Sequence, residues 1–200
     1  MSTYIVVISG ASGSVYGLKL VEQLLVAGHK VSLIATKAGR EVMQFETGFA
    51  MPEAGAGAAE AVSRFLELPS TPNLRVVAQG DMFDAAASGS ALIDGMIVCP
   101  ASMGFCGSVA AGLASDLPER AADVMLKERR PLVLVPREAP FSVIHLRNLT
   151  ALAEAGAIVL PASPAFYQRP ASLDDLVDFV VGKVLDQLGV GHHLFKRWGQ

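Results

Sequence analysis

Arg137 and Glu138 stand between two prolines in the run Pro136-Arg137-Glu138-Ala139-Pro140. A guanidinium beside a carboxylate can grip an oxyanion and move a proton, and flanking prolines stiffen the pair. A second charged run, Glu119-Arg120-Ala121-Ala122-Asp123-Val124-Met125-Leu126-Lys127-Glu128-Arg129-Arg130, sets Arg120 and Lys127 seven residues apart, on one face of a helix. Two cations on a face can hold a dianion, although most such runs are solvated helix surface, and the spacing alone leaves both readings open. Cys99 and Cys106 lie seven residues apart without a neighbouring histidine, so they read as buried thiols rather than a zinc site or a secreted disulfide framework.

The turn Ser9-Gly10-Ala11-Ser12-Gly13 follows an apolar run and opens a helical segment. Its N–H groups lie at the positive end of a helix dipole, a place for a phosphate, though glycines there also serve close packing. A dinucleotide-binding unit asks for an acidic residue about 20 residues further on, at the end of the second strand. Here that position reads Ala35-Thr36-Lys37. A hydroxyl followed by a cation argues against NAD and for a mononucleotide such as FMN.

Three more runs flank strand-like segments. Ser88-Gly89-Ser90 precedes the apolar run at 95–98 and Pro100-Ala101-Ser102-Met103-Gly104 follows it, where open α/β sheets bind ligands. Small residues there admit a flat ring, or serve as turn and N-cap residues of a helix running to Leu113. Pro161-Ala162-Ser163-Pro164-Ala165-Phe166-Tyr167 follows the fifth strand, and Tyr167 belongs either to the site or, like Phe166, to the core.

The elements that must position these residues are short apolar strands alternating with helical segments, the pattern of a doubly wound, mostly parallel sheet with helices on both faces. The strands are Tyr4-Ile5-Val6-Val7-Ile8, Lys30-Val31-Ser32-Leu33-Ile34, Gly95-Met96-Ile97-Val98, Pro131-Leu132-Val133-Leu134-Val135 and Ala157-Ile158-Val159-Leu160, with one more possible at 74–77. Residues 16–27 place Leu18, Val21, Leu24 and Leu25 on one stripe ending at Gly28, and residues 173–188 form the last helix between Ser172 and Gly189. The Ala-, Gly- and Glu-rich stretch 51–61 is expected to leave the sheet core. The tail 189–200, with Phe195 and Trp198 beside Lys196 and Arg197, is too apolar for a loose end and is expected to pack on a neighbouring subunit.

The chain has 200 residues, 52% of them apolar and 6% aromatic, which suits a single domain. A net charge of −3 without long runs of one sign gives no nucleic-acid footprint. No segment approaches the roughly 18 apolar residues of a membrane span and the first residues do not form a leader peptide, so the expected location is the cytoplasm.

Taken in order, these runs resemble the UbiX-type flavin prenyltransferases over nearly the whole chain: Gly10-Ala11-Ser12-Gly13, the run 119–134, Pro136-Arg137-Glu138-Ala139-Pro140, residues 161–167 and Lys196-Arg197-Trp198-Gly199. The resemblance implies a metal-independent homo-oligomer, a dodecamer, that transfers a dimethylallyl group from dimethylallyl phosphate to N5 and then C6 of reduced FMN. Its product, prenylated FMN, serves a UbiD-type decarboxylase. Carried over by motif, Gly10, Ala11, Ser12, Thr36, Ser102, Met103, Gly104, Phe105 and Arg137 bind FMN, and Tyr167 and Lys183 bind the prenyl phosphate. Ser12, Glu46, Arg120, Lys127, Glu138 and Trp198 complete the catalytic site.

This implied chemistry agrees with the residues. Breaking an allylic C–O bond leaves a carbocation and phosphate, which fixed cations such as Arg137, Lys127 and Lys183 stabilise, while an aromatic face such as Tyr167 or Trp198 shelters the cation. The chain departs from the family mildly: Ser9 for Thr, Thr36 for Ser, Ala101 for a frequent Cys, and Lys183, which lacks the fork of Arg. The related cysteine decarboxylases carry a catalytic His and a Pro-Ala-Ser-Ala-Asn-Thr motif; here Met103-Gly104 follows Pro100-Ala101-Ser102, and none of His29, His145, His192 and His193 lies where that His is expected. A flavin-storage protein would need the FMN turn but no second phosphate site.

Overall fold

The computed structural model describes residues 1–69, 71–197 and 199. Among them runs a six-stranded, all-parallel sheet in the order β3-β2-β1-β4-β5-β6. Its strands are β1 (Thr3–Ile8), β2 (Lys30–Ala35), β3 (Leu74–Val76), β4 (Gly95–Ala101), β5 (Leu132–Pro136) and β6 (Ile158–Val159). Seven helices accompany them: α1 (Ser14–Val26), α2 (Lys37–Thr47), α3 (Ala56–Phe65), α4 (Met103–Ala110), α5 (Leu117–Lys127), α6 (Val143–Glu154) and α7 (Leu173–Gln187). This is the α/β architecture expected from the alternation of strand and helix patterns.

Successive strand residues serve opposite faces, as the pleat requires. Tyr4, Val6 and Ile8 point into one core with Leu18, Val21 and Leu24 of α1 and Val177, Val180 and Val184 of α7. Ile5 and Val7 point into the other, with Met96, Val98, and Ala121, Val124 and Met125 of α5. Each fully buried Leu, Ile or Val contributes about 1.5–3 kcal/mol, so burial on both faces fixes the central strands.

Chain direction decides where ligands bind. After β1 the chain winds outward through β2 and β3, then returns through residues 77–94 to begin β4 on the other side of β1. The switch point therefore lies between the carboxyl ends of β1 and β4, where such sheets form a crevice. Gly17 lets α1 press on that point: a Cβ there would stand 2.2 Å from the Cys99 carbonyl oxygen and 2.7 Å from Ile8 Cγ1.

The stretch 51–61 departs from expectation. Met51, Ala58 and Val62 are buried in the first core, because α3 packs small side chains beside β3 rather than leaving the sheet. The helix α6 leaves Val143, Ile144 and Leu146 exposed. No helix among the described residues is long and apolar enough to cross a membrane.

Candidate active site

The switch point is locked by one buried hydroxyl. Ser9 Oγ donates to the Pro100 carbonyl at 2.8 Å and accepts from the Ser102 N–H at 2.7 Å, tying the loop after β1 to the loop after β4. Ser102 in turn caps α4, its Oγ accepting from the Phe105 N–H at 3.2 Å. Met103 and Phe105 are buried beneath the start of that helix and Gly104 is exposed. Thr36 caps α2, accepting from the Gly39 N–H at 3.0 Å, and its own N–H donates to the Ile8 carbonyl. The expected flavin residues Gly10, Ala11, Ser12, Thr36, Ser102, Met103, Gly104 and Phe105 thus sit on three loops around one crevice.

Arg137 reaches this crevice from the end of β5. Its Nε donates to the Ser12 carbonyl at 3.0 Å, closing the rim from the far side. Glu138 follows it, its carboxylate accepting from the Ala139 N–H at 3.0 Å. Tyr16, which the sequence did not single out, stands next to Arg137. Burial holds its phenol above its ordinary pKa, helped by Cys99 and opposed by the Arg137 charge. The aromatic residue one turn inside a glycine-rich helix start was the available signal.

The phosphate expected on the turn before α1 meets a carboxylate instead. Glu46, from the end of α2, accepts from the Gly13 N–H at 3.0 Å and the Ser14 N–H at 2.9 Å. Burial alone would raise its pKa; hydrogen bonds from Ser12, Ser14 and Gly13 prevail and hold it low. The helix terminus does bind an anion, and in this state the anion is Glu46.

The second group of predicted residues divides. Tyr167 lies in a 3-10 turn after β6, its ring edge-on to Phe179 at 5.9 Å. Phe179 and Lys183 are four residues apart on α7, so Tyr167 and Lys183 share one face of that helix. Lys183 lies 3.6 Å from Asp186. Arg120 and Lys127 lie on α5. The α5 helix begins where the Leu117 N–H meets the Gln79 carbonyl and ends where Arg130 holds the Gly89 and Ala91 carbonyls, ahead of β4. Lys127 is thus at the amino end of the sheet, and Arg137 at its carboxyl end, about 16 Å of strand away. Arg120 turns to Asp123 at 2.8 Å and the Ala87 carbonyl at 3.2 Å, and Lys127 pairs with Glu128 at 2.5 Å. Lys127 therefore does not reach the Arg137 of its own chain. Trp198 lies outside the described residues.

Both cysteines are buried and unpaired by disulfide, and desolvation pushes Cys106 up to about 12 and Cys99 higher, so neither is an available thiolate.

The sequence profile of the Flavoprotein family matches residues 2–185. The flavin prenyltransferase UbiX of Pseudomonas aeruginosa is 46% identical over 195 residues, covering 96% of this chain and 91% of that protein. This chain belongs to the UbiX-type flavin prenyltransferases of the Flavoprotein family. Among solved UbiX structures, AnUbiX (PadA1) in complex with FMN and dimethylallyl pyrophosphate superposes with a TM-score of 0.87 at 36% identity, covering 100% of this chain and 98% of that one. A dodecameric FMN-dependent UbiX-like decarboxylase from Escherichia coli O157:H7 gives 0.85 at 37% identity, covering 99% and 100%. The UbiX likeness thus spans both the crevice and the α5 face.

Proposed function

We propose that this protein is a flavin prenyltransferase that moves the dimethylallyl group of dimethylallyl phosphate onto reduced FMN, with FMN as acceptor substrate in the β1/β4/β5 crevice. The observation that carries this reading is a crevice lined by backbone and small side chains, closed by the Arg137–Ser12 bond and flanked by Glu138. A flat ring fits against Gly10, Ala11 and Gly104, and Thr36 and Ser102 offer hydroxyls to its polar edge. A full-length likeness to the P. aeruginosa enzyme supports the same reaction.

The reaction breaks the allylic C–O bond and joins the dimethylallyl carbon to N5, whose proton leaves with the phosphate; closing the fourth ring at C6 adds one proton to the alkene and removes one from C6. Arg137 stabilises the departing phosphate, with Lys183 and Tyr167 gripping it from the α7 side. Glu138, at the rim, exchanges protons, and Glu46 holds the Ser12-Gly13 turn so that Ser12 faces the crevice.

Arg120 and Lys127 complete the phosphate site from another copy of the chain. In support, Lys127 lies at the opposite end of the sheet from the crevice of its own chain, both cations are paired with a nearby acid, and the E. coli relative is dodecameric. The whole chain acts as one domain, in the cytoplasm, and its product passes to a UbiD-type decarboxylase. The test is anaerobic incubation with reduced FMN and dimethylallyl phosphate, followed by mass spectrometry of the extracted flavin. A gain of one C5H8 unit is expected; unmodified flavin, despite bound FMN and donor, refutes the reaction.

A further inference from the structure

The tail folds back on α7 around one carboxylate. Asp186 Oδ1 accepts from Arg197 Nη2 at 2.8 Å and lies 3.2 Å from Nε2 of His192, whose side chain is 1% exposed. The other ring nitrogen, Nδ1, accepts from the Leu194 N–H at 3.3 Å, so Nε2 carries the proton and donates to Asp186. Phe195 packs between His192 and Phe179, with ring centroids 5.0 and 5.2 Å apart, and Gln168 Nε2 holds the Lys196 carbonyl at 3.1 Å. Gly182 makes this possible, because a Cβ there would stand 2.4 Å from the Phe195 ring and 2.7 Å from the His192 ring.

The same carboxylate faces Lys183. Its Oδ2 lies 3.6 Å from Nζ, close enough to attract and too far to hydrogen-bond. Burial would raise the Asp186 pKa, but the hydrogen bond and charge of Arg197, then His192, hold it low, so it is ionised at neutral pH. Two donors on Oδ1 disperse the charge that Oδ2 presents to Lys183. Without them the bare carboxylate would draw Lys183 into a direct ion pair and repel an incoming phosphate.

We propose that Asp186 is a positioning residue for the donor: the docked tail neutralises it through the Arg197 charge and holds it with the His192 N–H, and that neutralisation frees Lys183 to bind the phosphate. By linkage, bound donor holds the tail in place. This rests on the reading that Lys183 meets the donor phosphate.

The test is a double-mutant cycle on FMN-loaded protein, with dimethylallyl phosphate binding measured by calorimetry and tail release by the rate of tryptic cleavage after Lys196 and Arg197. Arg197→Met is expected to weaken donor binding about tenfold with FMN affinity unchanged. Asp186→Asn added to it restores donor binding to within about twofold of wild type, because no carboxylate remains to capture Lys183. Gly182→Ala, which dislodges the tail by shape and not by charge, shows the same loss and the same rescue. In the wild type, donor slows tail cleavage. Unchanged donor binding in Arg197→Met, or a loss that Asp186→Asn does not rescue, overturns the proposal. Because the readout is binding, a protein that binds donor yet leaves the flavin unmodified refutes the proposed reaction while the cycle still decides the role of Asp186.

Discussion

The crevice after β1, β4 and β5 and the outer face of α5 carry similar groups, small residues and cations, but are built differently. In the crevice the determining contacts are backbone ones: Ser9 joins two loops, Glu46 caps α1 through two N–H groups, and Arg137 holds a carbonyl. On α5 the working groups are side chains, each matched to an acid within three residues: Arg120 to Asp123 and Lys127 to Glu128. The first half is preorganised by the fold and suits a rigid planar acceptor. The second is stable without ligand and suits a phosphate that replaces the acids. Groups built in this way can be supplied by a neighbouring copy without altering the fold of either.

Substitutions in the two regions should therefore fail differently. The largest effect is expected from Gly17→Ala, whose Cβ meets the Cys99 carbonyl. It should cost about 3 kcal/mol and lower the melting temperature by about 10 °C, with FMN binding lost alongside, as thermal melts and flavin titration would show. Arg137→Met should reduce kcat/KM about a thousandfold while melting changes by less than about 2 °C. Lys127→Met should reduce it about a hundredfold, through donor KM, with FMN affinity and melting unchanged. If Lys127→Met instead weakens FMN binding, the division between the halves fails. The smallest effect belongs to Glu46. Its pKa is lowered by folding, so its contribution to stability is present above about pH 4.5 and lost as pH falls through the folded value. Glu46→Gln should melt about 1 °C lower than wild type at neutral pH, and the two should converge on acidification.

Much of the crevice was legible because it rests on local patterns. Glycines after an apolar strand, a hydroxyl in place of an acid at Thr36, and Arg137 between prolines each have a meaning readable within a few residues. The strands were read from their two-sided burial, and α1 and α7 from period and caps. What escaped was set by distant contacts. Glu46 caps a helix 32 residues away, and no spacing rule announces that. The helix α3 hid in an Ala- and Gly-rich stretch that reads as loop by composition, although Ala58 and Val62 are core. The placement of Lys127 at the opposite end of the sheet from Arg137 follows from chain direction, which helix periodicity does not report.

The division between the halves is tested most directly by mixing two inactive variants. Arg137→Met breaks the crevice and Lys127→Met breaks the α5 face; hybrids assembled from both, isolated through different affinity tags, contain crevices from one chain beside intact α5 faces from the other. If a neighbour supplies α5, random pairing restores roughly a quarter of wild-type flavin prenylation, since half the crevices and half the α5 faces are intact. Hybrids no more active than their parents would show that both halves must come from one chain, contradicting the account.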